Sequence, residues 1–259
     1  MTGMFPPGTF TPQPGPGSPG RMLAAQAGTE MRLALRNGEQ VLLTLLIPVV
    51  LLVGLAVLKV VPLPEPRVAA VAPGILALAV MSTAFTGQAI ALGFDRRYGV
   101  VRRLAATALP RWLLVAGRLV AVLGVVAIQV VVLAAIAVAL GWRPAPAGVG
   151  WAVLLVLLGC AAFGSLGILL GGSLRAEITL AVANLVWFVL LLAGGIVIPL
   201  DQLPGPLAAV AAALPSGALA EGLRATLTTG EPPSVGHVFV LLGWTAAAAA
   251  VAVRTVRLR

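Results

Sequence analysis

The sequence predicts an all-α membrane protein whose chain crosses the bilayer about six times. Of its 259 residues, 60% are hydrophobic and only 10% are charged, whereas soluble globular domains have roughly 45–50% apolar and 25% charged residues. The apolar residues are gathered into long blocks, each near the ~20 residues that cross a bilayer core. We therefore expect a single membrane domain over residues 21–259.

The N-terminal residues predict a tail followed by a helix. Residues 1–20 are rich in proline and glycine without a collagen repeat, and they lack the features of a signal peptide. We expect a disordered cytosolic tail there. Residues 21–40 are helix-compatible, with apolar and charged side chains mixed. This weak amphipathic pattern fits an interfacial helix on the membrane and an ordinary cytosolic lead-in equally well.

The apolar runs predict the six spans and their orientation. The spans cover residues 41–61, 71–94, 112–141, 151–172, 178–200 and 236–253. With both termini on one side, that side has 13 arginines and lysines and the other has 4, while the acidic residues divide equally. Because basic residues set orientation, both termini are predicted to be cytosolic. This topology explains the net charge of +9 better than nucleic-acid binding does.

A long cytosolic connection, residues 94–112, separates spans two and three. It reads as a helix that ends near Pro110, because proline disfavours helix at the preceding residue. Val100, Leu104 and Ala108 form an apolar stripe at helical spacing. Four arginines flank the stripe: Arg96, Arg97, Arg102 and Arg103. A basic amphipathic helix just inside the membrane suits contact with anionic lipid and docking of a partner protein, and composition does not choose between them.

A second long connection, residues 199–233, lies on the external side. Its apolar stretch at 207–214 is too short to span and is broken by Pro215. Segments of this length are typically re-entrant or interfacial. The alternative is a small external helical hairpin that packs over the bundle.

Residues with which to perform chemistry are scarce. The only lysine, Lys59, lies outside any P-loop pattern, so the chain has no ATPase site of its own. The middle of each span lacks Asp, Glu, Lys and His, the groups that ion-coupled transporters place there. Ser165 and His237 resemble the dyad of an intramembrane serine protease, but Ser165 is ~14 residues or ~20 Å below the external surface, where His237 is expected. No cofactor or metal is expected on this chain.

Uncharged polar residues in the spans allow two interpretations. Hydroxyl and amide side chains inside a bundle either line a substrate path or form hydrogen bonds between helices, and the second use is the commoner one. The candidates are Ser82, Thr83, Thr86, Gln88 and Asn184.

Three segments together resemble the permease subunits of type 2 ABC exporters, the family of the daunorubicin-resistance membrane proteins. The first is the entry MRLALRNGEQVLLTLLIPVVLLV, with an early proline in span one. The second is the DRRYG sequence at 95–99, followed by Leu104, Pro110 and Arg118. The third is the proline-rich external loop IPLDQLPGPLAAVAAALPSGALAEGLRATL, which ends near Arg224.

This resemblance implies a function and a set of coupling residues. Residues 95–109 would be the coupling helix that docks on a separate ATP-binding subunit, which holds ATP and magnesium. The coupling residues would be Asp95, Arg96, Arg97, Gly99, Arg102, Arg103 and Leu104. Two permeases, identical or related, would export a drug, antibiotic or lipid across a bacterial cell membrane. The competing hypothesis is a membrane scaffold or assembly protein that transports nothing.

Overall fold

The described part of the protein is helical throughout, with no strand within it. The computed structural model describes residues 17–58, 64–106, 110–196 and 199–255. The helices are α1 (Pro19–Arg36), α2 (Gly38–Val57), α3 (Arg67–Met81), a π-helical segment (Ser82–Gly87), α4 (Gln88–Arg97), α5 (Val100–Ala105), α6 (Arg111–Ala139), α7 (Val149–Ser173), α8 (Ala176–Ala193), α9 (Gly205–Ala213), α10 (Pro215–Thr229) and α11 (Val235–Thr255). The tail predicted over 1–20 falls mostly outside the described residues, and α1 begins at Pro19.

Within the described residues, five helices are long and apolar enough to cross a membrane, or six if the bent pair α9–α10 counts as one span, which supports the predicted polytopic architecture. The five run over Arg67–Arg97, Trp112–Ala139, Pro146–Ser173, Ala176–Ala193 and Val235–Thr255. Each matches a predicted span. The predicted first span, 41–61, corresponds to α2, whose apolar part at Thr44–Val57 is shorter. The last residues of that span lie outside the described ranges.

The continuous helix Arg67–Arg97 is the centre of the bundle. Its apolar window is 83% buried, against 17–39% for the other four spanning helices, whose outer faces are left for lipid. α3 packs against α2, α6 and α10, and α4 packs against α7 and α8. A π-helical segment at Ser82–Gly87 joins the two. Such segments are rare and occur frequently at functional sites.

The predicted N-terminal helix is present as α1, and it packs along α6. Proline in its first turn and Arg36 in its last turn suit the two ends of a helix. Glycines on α6 make room for its side chains, because a Cβ at Gly117 would lie 2.6 Å from Gln26 and one at Gly124 would lie 2.6 Å from Met31. Its position at a membrane surface stays a prediction.

The external connection folds into α9 and α10, which meet at 94° where Pro215 interrupts the chain. The predicted break at this proline is confirmed. Leu219, Leu223 and Thr226 of α10 are fully buried, which fits both the predicted re-entrant segment and the hairpin that packs over the bundle. α10 packs against α3, α7 and α11. The bent pair has the geometry of a broken span or a re-entrant loop.

Two groups of helix ends lie at opposite ends of the bundle. At one end, which we call the basic end, Asp95, Arg96 and Arg97 of α4 bond to α6, α7 and α8, and Ser173 of α7 meets Thr255 of α11. The other arginines of the predicted cytosolic side lie in or beside these helix ends: Arg102, Arg103, Arg118, Arg175 and Arg254. At the other end, Ala145 donates a backbone hydrogen bond to Leu227 at 2.9 Å, and Arg224 donates to the oxygen of Gly195 at 3.4 Å. The helix ends are therefore grouped as the six-span topology requires. That the basic end faces the cytosol stays a prediction.

Candidate functional site

Three predicted coupling residues form the last turn of α4 and bond to other helices. One of them, Arg96, donates from Nη1 to the backbone oxygens of Gly171, at 2.9 Å, and Leu174, at 3.1 Å. These oxygens belong to the C-terminal end of α7, where carbonyl groups lack an intrahelical donor. Arg96 therefore joins the end of α4 to the end of α7.

Ion pairs join the same turn to three further helices. Arg97 pairs with Glu177 in the first turn of α8, and both side chains are exposed. Asp95 pairs with Arg118 of α6. The Nε of Arg118 also lies 3.7 Å from Oε1 of Glu30 on α1. The exposed pair contributes little to stability, because water screens it, whereas Arg118 is largely buried between its two carboxylates.

Gly99 ends the first helix of this region and allows the second to begin. Its φ of +70° is a left-handed conformation that costs any residue with a Cβ about 1–2 kcal/mol. The single coupling helix predicted over 95–109 is therefore wrong. The chain turns between the end of α4 at Arg97 and the start of α5, and residues 107–109 lie outside the described ranges.

α5 presents its arginines outward. Arg102 and Arg103 are both exposed, whereas Val100 and Leu104, on the predicted apolar stripe, are half-buried. Ala108, the third member of the stripe, is outside the described residues. The predicted coupling residues thus divide into two sets: the end of α4 bonds within the bundle, and the arginines of α5 face away from it.

Hydrogen bonds join the π-helical segment to α8 and α6, and a further bond continues from α6 to α2. The indole Nε1 of Trp187 on α8 donates to Ser82 at 2.9 Å. Thr83 donates to Oε1 of Gln129 on α6 at 2.7 Å, and the amide nitrogen of Gln129 donates to Thr44 on α2 at 3.1 Å. Two of the predicted path residues therefore make the helix-to-helix bonds of the commoner interpretation.

Replacing Gln129 by leucine is expected to destabilise the bundle. The change keeps the side-chain volume but removes the acceptor of Thr83 and the donor to Thr44, and interhelical hydrogen bonds in membranes average ~0.6 kcal/mol with a maximum near 1.7. We expect a loss of about 1–2 kcal/mol in an unfolding titration with SDS in mixed micelles. Gln202→Leu, at an exposed position of the external connection, is the control. Equal effects in the two variants would contradict the assigned role of Gln129.

Two open pockets lie beside the π-helical segment and α4. The α6 pocket, about 460 Å³, lies between α1, α2, α4 and α6. The α8 pocket, about 650 Å³, lies between α2, α4 and α8. They share the side of α4 that carries Ile90 and Phe94.

The predicted path residues line both pockets rather than one continuous face. Ser82, Thr86 and Asn184 line the α8 pocket, and Thr83 and Gln88 line the α6 pocket. The hydroxyl of Thr86 and the amide nitrogen of Gln88 are buried and have no hydrogen-bond partner among the described residues. Buried polar atoms without a partner carry a desolvation cost, so these two are available to a ligand or to water.

The sequence alone does not predict the contacts of two further residues in these sites, Glu30 and Trp187. Glu30 is 88 positions from Arg118, and nothing in its surroundings predicts that it shares this arginine with Asp95. Trp187 reads as an ordinary apolar residue of span five, although its indole N–H bonds to Ser82. A buried tryptophan usually finds a partner for that group, which is the one general reason to expect such a bond.

The Ser165 and His237 pair receives no support as a catalytic dyad. Ser165 is half-buried in the second half of α7, and His237 lies in the first turn of α11. The Nδ1 of His237 has no hydrogen-bond partner among the described residues.

Comparison with known protein families finds a match over most of the chain. Residues 25–228 match the family described as ABC-2 type transporter. The matched range includes most of α1, the π-helical segment, α5 and most of α10. No protein of curated function matches the sequence.

Proposed function

Because this chain belongs to the ABC-2 type transporter family, we propose that it is the permease of an ATP-driven exporter, of the daunorubicin-resistance type, whose ATP-binding subunit docks on α5. As an ABC-2 membrane domain, the chain is the transport component and not the ATPase. Its cargo is a hydrophobic or amphipathic molecule such as a drug, an antibiotic or a lipid. The protein lies in the bacterial cell membrane with both termini in the cytosol.

The observation that carries the docking proposal is the division of the coupling residues. Arg102 and Arg103 are exposed beside a turn at Gly99, while Asp95, Arg96 and Arg97 hold the adjoining end of α4 to three other helices. A partner that binds the exposed arginines therefore acts on the end of the most buried helix. ATP binding and hydrolysis in that partner would shift the population of permease conformations through this contact.

The pockets beside the π-helical segment support a cargo path. The α8 pocket combines apolar walls, including Ile47 and Phe188, with the polar groups of Ser82, Thr86 and Asn184. Sites for small molecules commonly have this mixture of apolar lining and few polar groups. The pocket is open, so a second permease, identical or related, would complete the path across it.

Purification of the tagged full chain from its native membranes in mild detergent tests the proposal. We expect an ATP-binding subunit with a P-loop to co-purify in a fixed ratio, and the complex to hydrolyse ATP. Reconstitution of the pair in vesicles should then give ATP-dependent movement of an amphipathic dye. A chain that purifies intact without any ATP-binding protein would favour the scaffold hypothesis instead.

A further inference from the structure

The α6 pocket is acidic, although the chain as a whole is strongly basic. Among the described residues that line it, the charged side chains are Glu30, Asp95 and Arg118. Two carboxylates therefore share one guanidinium and leave a surplus charge of −1, in a protein of formal charge +9. The side chain of Arg118 is 11% exposed, whereas those of Glu30 and Asp95 are 22% and 30% exposed. The carboxylates are thus the more accessible members of the cluster.

A buried amide lies deeper in the same pocket. Gln88 is 6% exposed, and its Nε2 has no hydrogen-bond partner among the described residues. Gln88 and Asp95 are seven residues apart on α4, which places them on one face and about 10 Å apart along the axis. A terminal amide can present either its N–H or its carbonyl oxygen, so Gln88 suits a ligand that carries a donor or an acceptor.

The wall between these polar groups is apolar. Ile90, Ala91 and Phe94 of α4 and Val122 and Val125 of α6 line the pocket. A ligand that reaches from the acidic cluster to Gln88 therefore needs a positive end, a short hydrocarbon stretch and a second polar group. An isolated cation or a purely apolar molecule would satisfy only part of this lining.

We propose that the α6 pocket binds the primary ammonium group of an amphipathic molecule, between Glu30 and Asp95, with a second polar group of the ligand at Gln88. Ammonium groups donate three hydrogen bonds and pair well with carboxylates, and these charge-assisted bonds are the strong ones. A carboxylate or phosphate ligand is disfavoured because both acidic groups already surround the one arginine. That the ligand is cargo rests on the proposed function, whereas its binding does not.

The probe is monodansylcadaverine, which has a primary ammonium, a pentyl chain, a polar sulfonamide and a fluorescent aromatic group. The full chain in phosphatidylcholine nanodiscs is titrated with it, and the signal of empty nanodiscs is subtracted. We expect saturable binding to the protein. The N-acetylated probe, which lacks the charge, should bind at least about tenfold more weakly, because it loses the charge-assisted hydrogen bonds to the carboxylates.

Variants locate the site. Glu30→Gln should weaken the ammonium probe about tenfold without affecting the acetylated probe, and Gln88→Leu should weaken both. Glu231→Gln makes the same chemical change at an exposed external position and should alter neither. A Glu30→Gln protein that binds the ammonium probe as the unmodified chain does would overturn the proposal. So would preferential binding of the dansylated carboxylate of similar length.

Two further arms separate the possible outcomes. Adding phosphatidylethanolamine to the nanodiscs supplies a lipid with the same ammonium group. If this lipid competes with the probe, a lipid headgroup is a ligand of the site. If the lipid does not compete, the site is assigned to a free amphiphile. The titration needs no ATP-binding subunit, so a chain that binds the probe but purifies without an ATPase would refute the proposed transport function alone. A chain that purifies with its ATPase but binds no probe would refute the ammonium site alone.

Discussion

A chain carrying Arg102→Glu and Arg103→Glu together is expected to fold and insert normally but to lose its ATP-binding subunit. Both side chains are exposed, and the hydrogen bond that Arg103 donates to the backbone oxygen of Tyr98 is local and 3.3 Å long. Charge reversal therefore costs the bundle little. At an interface with a complementary acidic surface, it creates like-charge contacts that cost several kcal/mol. We expect the affinity for the ATP-binding subunit to fall about 100-fold or more.

The measurement is binding of the purified ATP-binding subunit to the chain in nanodiscs, with ATP hydrolysis by the mixture as a second readout. Arg175→Glu with Arg254→Glu is the matched control, since both arginines are exposed at the basic end but lie outside α5. If the two double variants bind the subunit equally well, α5 is not its docking site. If only the α5 variant fails, general electrostatic attraction to the basic end is excluded.

The coupling residues at the end of α4 allow a displacement of α5 to reach other helices. Asp95, Arg96 and Arg97 connect the end of α4 to α6, α7 and α8, and Arg118 extends the connection to Glu30 on α1. A displacement of α5 is therefore applied to several helix ends at once. Packed interfaces of this kind change between discrete arrangements rather than deforming smoothly, which suits a two-state transporter.

The spans were the most predictable part of the fold, because a bilayer imposes its thickness on every crossing helix. An apolar run near 20 residues has few structural alternatives, so the run at 151–172 predicted α7 to within two residues at each end. The shape of α9 and α10 was only partly predictable. Pro215 indicated the break, but the burial of α10 depends on the surfaces of α3, α7 and α11, which one sequence does not reveal.

The candidate sites were less predictable than the helices. Gly99 was predicted as part of one coupling helix, but its positive φ divides that region, and a helical stripe through Val100 and Leu104 cannot show where a helix begins. The acidic cluster of the α6 pocket brings together residues from α1, α4 and α6. Such long-range pairs follow from tertiary packing, and local periodicity contains no information about them.

Close packing between α7 and α4 predicts the second large effect, a large loss of stability on replacing Gly171 by leucine. A Cβ at Gly171 would lie 2.4 Å from the backbone oxygen of Ala89, and a Cβ at Gly167 would lie 2.8 Å from that of Phe85. These two glycines, four residues apart, let the helix backbones meet, as small residues do in membrane bundles. Because the obstacle is backbone, no side-chain rotation relieves it, and α7 must move away from α4.

Gly150→Leu is the control for that variant, since it makes the same change near the start of α7, where a Cβ meets nothing within 4 Å. Both variants gain the same intrinsic helix preference, so the difference between them isolates the packing. We expect Gly171→Leu to lose about 3 kcal/mol or more in an SDS unfolding titration and Gly150→Leu to lose almost nothing. Separation of the helices would also pull the oxygen of Gly171 away from Arg96 and loosen the basic end. Equal stability of the two variants would mean that α7 and α4 do not meet at this glycine.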